Sequence, residues 1–138
     1  MSQNGWIARL AFVATRIRMA RLSQRLGLSI PPGAFGPGLC IPHYGTIVVN
    51  DKARFGSFCR IHASTNIGEY NGAAPIVGDE VYIGPGAVIY GNAWIGDRVI
   101  VGANSVVTGE FPADVTIAGA PARVIANKGR TLRQNIEG

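Results

Sequence analysis

A step of six residues runs through most of this chain and leaves few folds open to it. Aliphatic residues recur at Val77, Ile83, Ile89, Ile95, Val101 and Val107, and Gly78, Gly84, Gly96 and Gly102 follow directly on four of them. An earlier run, Val49, Phe55, Ile61 and Ile67, keeps the same step, with Gly56 and Gly68 behind two of its members. Neither the 3.6-residue turn of a helix nor the two-residue alternation of a flat strand has this period. Four residues after each anchor stands a second, mostly small or β-branched slot, at Ala53, Cys59, Thr65, Val81, Ala87, Ala93, Val99 and Ser105. A hexad with two such slots is the signature of a parallel β-helix. Each hexad makes one short strand and one turn, the anchors fill a narrow prism, and successive coils stack about 4.8 Å apart. Glycine behind the anchor suits a corner that has little room or needs positive φ. The fold class is therefore all-β, a parallel β-helix.

Two interruptions divide the pattern. Between Ile67 and Val77 the step is ten rather than six, so Glu69 to Pro75 must leave the coil as a loop or shift its phase. Loops that leave a regular solenoid commonly carry its site. After Val107 the hexads end, and the polar stretch from Asn127 reads as a short helix or a frayed tail. Residues 6 to 26 read as a helix of imperfect amphipathicity, because Arg18 and Arg21 fall within the stripe drawn by Ile7, Leu10, Ala11 and Ala14. Such a helix can cap the first coil or pack on a neighbouring copy. The organisation expected is a helical segment over 1–27, a β-helix over 28–125 and a tail over 126–138, with no second domain.

Nineteen glycines and only 15 % charged residues in 138 argue against both a helical bundle and disorder. The net charge of +5 would suit any anionic partner, but Arg9, Arg16, Arg18, Arg21 and Arg25 cluster near the N-terminus, leaving few basic residues in the repeats. No nucleic-acid partner is expected. Ile7 to Ala14 is too short for a membrane span and contains Arg9, so no membrane association is expected either. Cys40 and Cys59, without disulfide-dense spacing or a CxxC, fit a reduced cytoplasmic protein with buried, inert thiols.

Four segments together resemble the hexapeptide-repeat acetyltransferases, in particular serine acetyltransferase and its capsular polysaccharide O-acetyltransferase relatives. They are IPPGAFGPGLCIPHYGTIVVN (30–50), CRIHASTNIG (59–68), PIVGDEVYIGPGAVIYGNAWIGD (75–97), and VGANSVVTGEFP with AGAPARVI (101–125). The resemblance implies a left-handed coil, an exception to the right-handed crossover rule that periodicity alone does not reveal. It also implies a homotrimer with sites in the clefts between copies, and acetyl-CoA as co-substrate. Acetyl transfer to a hydroxyl needs a base for the hydroxyl proton and donors for the tetrahedral oxyanion, and imidazole suits the first task at neutral pH. Of the two histidines, His43 in Pro42-His43-Tyr44-Gly45-Thr46 stands where serine acetyltransferases carry the histidine of an Asp-His-Ala-Thr-Gly run, which makes it the general base. His62 follows an anchor, points outward and can line the acceptor side. No GxSxG or Cys-His arrangement is visible, so transfer is direct.

The family pattern runs the pantetheine arm past Gly84, Pro85, Gly102 and Ala103, with Thr108 and Arg123 nearer the nucleotide. Pro85 has no N–H, so a contact there must use its carbonyl or a neighbour, and Arg123 suits a CoA phosphate through a charge-assisted hydrogen bond. The chain departs from serine acetyltransferase in several places. Pro42 replaces the aspartate before the histidine, an upstream aspartate falls near Leu28 or Ser29, the long helical domain has no counterpart, and the EYNGAAP loop carries no histidine. Those departures favour a sugar or polysaccharide precursor over serine, with Glu69, Tyr70 and Asn71 as acceptor contacts. Serine O-acetylation and a non-catalytic scaffold are the alternatives. A zinc site resembling that of γ-type carbonic anhydrases needs three histidines where this chain has two, so no metal is expected.

Overall fold

The hexads wind into a left-handed parallel β-helix of five coils, seen in a computed structural model that describes residues 4–130. Helix α1 (Asn4–Leu26) precedes it. The first coil holds β1 (Leu28–Ser29) and single bridge residues at Phe35 and Cys40. The second holds β2 (Ile47–Val49), β3 (Arg54–Phe55) and β4 (Arg60–Ile61). The third holds β5 (Thr65–Gly68), β6 (Ile76–Val77) and β7 (Tyr82–Ile83), and the fourth β8 (Val88–Tyr90), β9 (Trp94–Ile95) and β10 (Ile100–Val101). The fifth adds β11 (Val106–Val107), β12 (Glu110–Phe111) and β13 (Thr116–Gly119), after which β14 (Ala122–Ala126) turns back. Corresponding strands stack into three parallel faces: β1-β2-β5-β8-β11 (face A), β3-β6-β9-β12 (face B) and β4-β7-β10-β13 (face C).

Both slots of the hexad point inward. The anchors Ile61, Ile83, Ile89, Val101 and Val107 have no exposed surface, and neither do Ala53, Val81, Ala87 and Val99 of the second slot. The two hydroxyls among them are satisfied within their own turns: Thr65 Oγ1 donates to the His62 carbonyl at 2.7 Å and Ser105 Oγ to that of Gly102 at 2.8 Å. Left-handed backbone occurs three residues past the anchor, at Phe58, Ser64, Glu80, Gly86, Arg98, Asn104 and Asp114. It therefore does not explain the glycines directly behind the anchors. All but Gly68 are there for close approach: a Cβ on Gly78 would meet the side chain of Asp97 and stand 2.8 Å from the Asp97 nitrogen in the coil above.

The ten-residue step is resolved as a loop between β5 and β6, closed by paired Tyr70–Ala73 backbone bonds of 2.9 and 3.1 Å. The strict hexad period ends after Val107, but the coil itself continues. The step from Val107 to Phe111 shortens to four and the next returns to six, so that Phe111 and Ile117 take the next inward positions on faces B and C. The polar stretch after Ala126 is not frayed as far as Arg130. Lys128 accepts from Thr116 Oγ1 at 2.6 Å, and the Arg130 N–H donates to Arg98 at 2.7 Å. The buried Arg130 guanidinium then reaches the carbonyls of Phe58, Glu80 and Val81 at 3.1 to 3.3 Å, so the segment straps one corner across several coils. Residues 131–138 lie outside the described residues.

Two further expectations are corrected. Cys59 is buried, and burial pushes its thiol up to about 11, but Cys40 is exposed because its side chain follows the outward register of Arg60. Helix α1 begins at Asn4 and does not cover the first coil. Its residues are exposed almost throughout, and it meets the solenoid at β1. Among the described residues no helix is long and apolar enough to cross a membrane.

If the glycines are dictated by inter-coil clearance, Gly78→Ala will destabilise the protein by about 1–3 kcal/mol despite its non-left-handed backbone. Thermal or denaturant unfolding measures this. An unchanged midpoint would contradict the clearance argument.

Candidate active site

The two histidines meet at the corner between faces C and A. His43 rides on the turn from the first coil into β2, and His62 on the turn after β4, directly one coil on. Gly45 lets the first turn sit close, since a Cβ there would come within 2.7 Å of Ala63 Cβ, and Ser64 N–H donates to the Thr46 carbonyl at 2.6 Å. The imidazoles lie 6.2 Å apart between centroids, and Tyr82 of the third coil stands 5.0 Å from His62. His43 is exposed and His62 half-buried, with its Nε2 atom buried and lacking a hydrogen-bond partner. Partial burial, then the charges of Arg60 and His43, hold the pKa of His62 below its ordinary 6.5, leaving it neutral and able to accept a proton at pH 7.

A lane without side chains leads away from His62. The register pairs Ile61 with Ile83, Ile83 with Val101 and Val101 with Ile117, so the next residues, His62, Gly84, Gly102 and Ala118, form one outward column. Nothing larger than a methyl projects from that column above His62. The neighbouring backbone is close, with a hypothetical Cβ on Gly84 only 2.8 Å from the Ala103 nitrogen. The N–H groups of Gly84 and Gly102 are spent on the ladder, donating to Val101 and Ile117 at 2.9 and 2.8 Å, and the Pro85 carbonyl accepts from Asn104 at 2.9 Å. Among the described residues no backbone bond engages the Ala103 N–H, which lies beside Gly84. At the far end Arg123 pairs in register with Ala118, its guanidinium exposed but for one bond to the Ala122 carbonyl.

His43, His62, Gly84, Pro85, Gly102, Ala103 and Arg123 thus gather along one edge. Glu69, Tyr70, Asn71 and Thr108 do not join them within one chain. They sit at the corner between faces A and B, at the other end of β5 and β11. There Lys52 binds Glu69 at 2.9 Å, Tyr70 packs edge-on against Tyr90, and Asn71 takes the left-handed apex of its turn. Sequence reasoning overlooked Arg60, Tyr82 and Ala118. The signal for them was present, since residues one before and one after an anchor share the outer face. A cleft of about 510 Å³ lies between α1 and the first coil, and neither histidine lines it. No group of residues suited to hold a metal ion occurs among the described residues.

Residues 74–109 match the family model described as bacterial transferase hexapeptide (six repeats). The chain belongs to the hexapeptide-repeat family and resembles serine acetyltransferase. The serine acetyltransferase of Synechococcus elongatus is 36 % identical over 117 residues, covering 80 % of this chain and 48 % of that protein. The structure of the Brucella abortus serine acetyltransferase in complex with coenzyme A superposes with a TM-score of 0.74 at 33 % identity, over 81 % of this chain and 47 % of that one. The Neisseria gonorrhoeae enzyme in complex with serine gives 0.69 at 31 %, over 83 % and 51 %. The chain spans about half the length of these relatives.

The burial of His62 has a consequence for pH. A histidine whose folded pKa lies below its unfolded value contributes nothing to stability well above pH 6.5 and destabilises the fold as pH drops below it. In an NMR titration the His62 imidazole will show a midpoint below 6.5, and His62→Gln will flatten the loss of stability on acidification. A His62 midpoint above 6.5 would contradict its described surroundings.

Proposed function

We propose that the chain is an acetyl-CoA-dependent O-acetyltransferase working by direct transfer, with His43 as general base and His62 lining the acceptor side. The observation that carries this reading is the junction of the histidine pair with a side-chain-free lane that ends at Arg123. An extended thiol arm laid along His62, Gly84, Gly102 and Ala118 brings its thioester to the imidazoles and its phosphates toward the exposed guanidinium. The acceptor hydroxyl attacks the thioester carbonyl while a neutral imidazole takes its proton. Collapse of the tetrahedral oxyanion expels the thiolate, which recovers the proton from the imidazolium, while the Ala103 N–H, two coils on from His62, is left to the thiol arm. The products are the O-acetyl ester and free CoA.

L-Serine is the first acceptor to consider, because the relatives over this region are serine acetyltransferases. A sugar hydroxyl is the second reading. One observation favours it: among the described residues no carboxylate contributes to the perturbation of His62, and Glu69 is held by Lys52 at another corner, so none of them supplies a counter-charge for an amino acid's ammonium at this edge. A threefold arrangement of copies would set the Glu69–Asn71 loop and Thr108 of one against the histidine edge of the next. The working form proposed is a cytoplasmic homotrimer.

Purified protein will release thiol from acetyl-CoA when given the right hydroxyl, with L-serine tested beside sugars and capsular oligosaccharides. His43→Ala will lower kcat about 10²–10⁴-fold with little change in affinity for CoA. Turnover unaffected by that substitution would remove His43 as base, and an inability to bind CoA would remove the transferase reading altogether.

A further inference from the structure

Arg60 is a half-buried cation that neither the fold nor the proposed transfer step uses. It occupies the outer face of face C, in register with Cys40 below and Tyr82 above, and on the same side of its strand as His62. Its Nε is buried without a hydrogen-bond partner. Among the described residues neither ion pair engages it; those are Lys52–Glu69 and Arg98–Asp114. The charged groups that feel Arg60 most are themselves bases, since it lowers the pKa of both His62 and Arg130. A guanidinium never deprotonates to escape burial, so the buried, unmet Nε–H calls for an acceptor from outside, and an anion answers the charge as well.

We propose that Arg60, flanked by His62 and Tyr82, forms a subsite for a carboxylate carried by the hydroxyl acceptor. This rests on the acetyltransfer reading for its role but not for its chemistry. A planar carboxylate matches one guanidinium through two parallel hydrogen bonds. A phosphate dianion would call for a second donor set, and the Arg130 Nη1 beside it is committed to the carbonyls of Phe58, Glu80 and Val81. The phosphates of the donor lie, in the proposed pose, at Arg123 on the last coil, well separated from Arg60 on the second. The carboxylate at Arg60 would turn the rest of a small acceptor toward the two imidazoles. The acceptors that fit are therefore hydroxy acids in the broad sense: serine through its α-carboxylate, or a uronic acid through its own.

The test uses acid and neutral pairs, L-serine with L-serinamide and D-glucuronate with D-glucose, on the whole protein. Binding is followed by the His62 imidazole resonance, and transfer by thiol release. The acid member of at least one pair will bind more tightly, and Arg60→Gln will weaken its binding about ten- to a hundredfold while leaving the neutral member and CoA unaffected. Arg60→Lys will recover part of the loss. Equal binding of acid and neutral members, equal weakening of both by Arg60→Gln, or tighter binding of inorganic phosphate than of either acid overturns the proposal. Acid-selective shifts at His62 without thiol release keep the subsite and remove the transferase reading; thiol release without acid selectivity does the reverse.

Discussion

The parallel backbone ladder from coil to coil is the interaction on which everything else in this protein depends. On face C alternate N–H groups donate to the coil above, as His62 does to Ile83, Gly84 to Val101 and Gly102 to Ile117 at 2.8 to 3.1 Å, while Ile61 between them donates to Cys40 in the coil below at 3.0 Å. The ladder locks the register, and the register decides which side chains share a column. Once Ile61, Ile83, Val101 and Ile117 are stacked in the prism, the residues one step further on have no choice but to line one outer edge. Residues far apart in sequence become neighbours without any loop having to be positioned.

That geometry separates the work of packing from the work of chemistry. Inward slots are filled by aliphatic and small side chains with no polar demand beyond Thr65 and Ser105, which satisfy themselves locally. Outward columns are free to vary, and along one edge they run from two imidazoles through glycines to an arginine. The lane exists because coils approach so closely at Gly84 and Gly102 that a Cβ would collide with the next coil. The clearance that stabilises the stack also leaves room for an extended ligand arm. At the adjoining corner the Arg130 strap ties the backbone of the second, third and fourth coils together, which fits a solenoid whose coils otherwise touch only their neighbours.

Much of this was legible in the residues. The six-residue period places every buried anchor from Val49 to Val107, and the ten-residue step marks the one loop that leaves the regular coil. The histidine pair was visible as chemistry, but its 6.2 Å spacing depends on how tightly Gly45 lets the first turn sit on the second. The hexad count loses its phase after Val107 because Phe111 arrives on a step of four, although Ile117 then follows it at six. The Arg130 strap gave no periodic signal at all, since its contacts are long-range bonds from one side chain to backbone carbonyls. Glu69, Tyr70, Asn71 and Thr108 fell on a different corner from the histidines because side-chain columns follow the three faces rather than distance along the chain.

The central claim is that the lane beside His62 receives a CoA thioester. A crystal structure of the protein with CoA tests it most directly. The account predicts the arm lying along Gly84, Gly102 and Ala118, with the sulfur within direct or one-water reach of a histidine imidazole and the phosphates toward Arg123. CoA bound elsewhere, or with its sulfur beyond one intervening water from both His43 and His62, would contradict it.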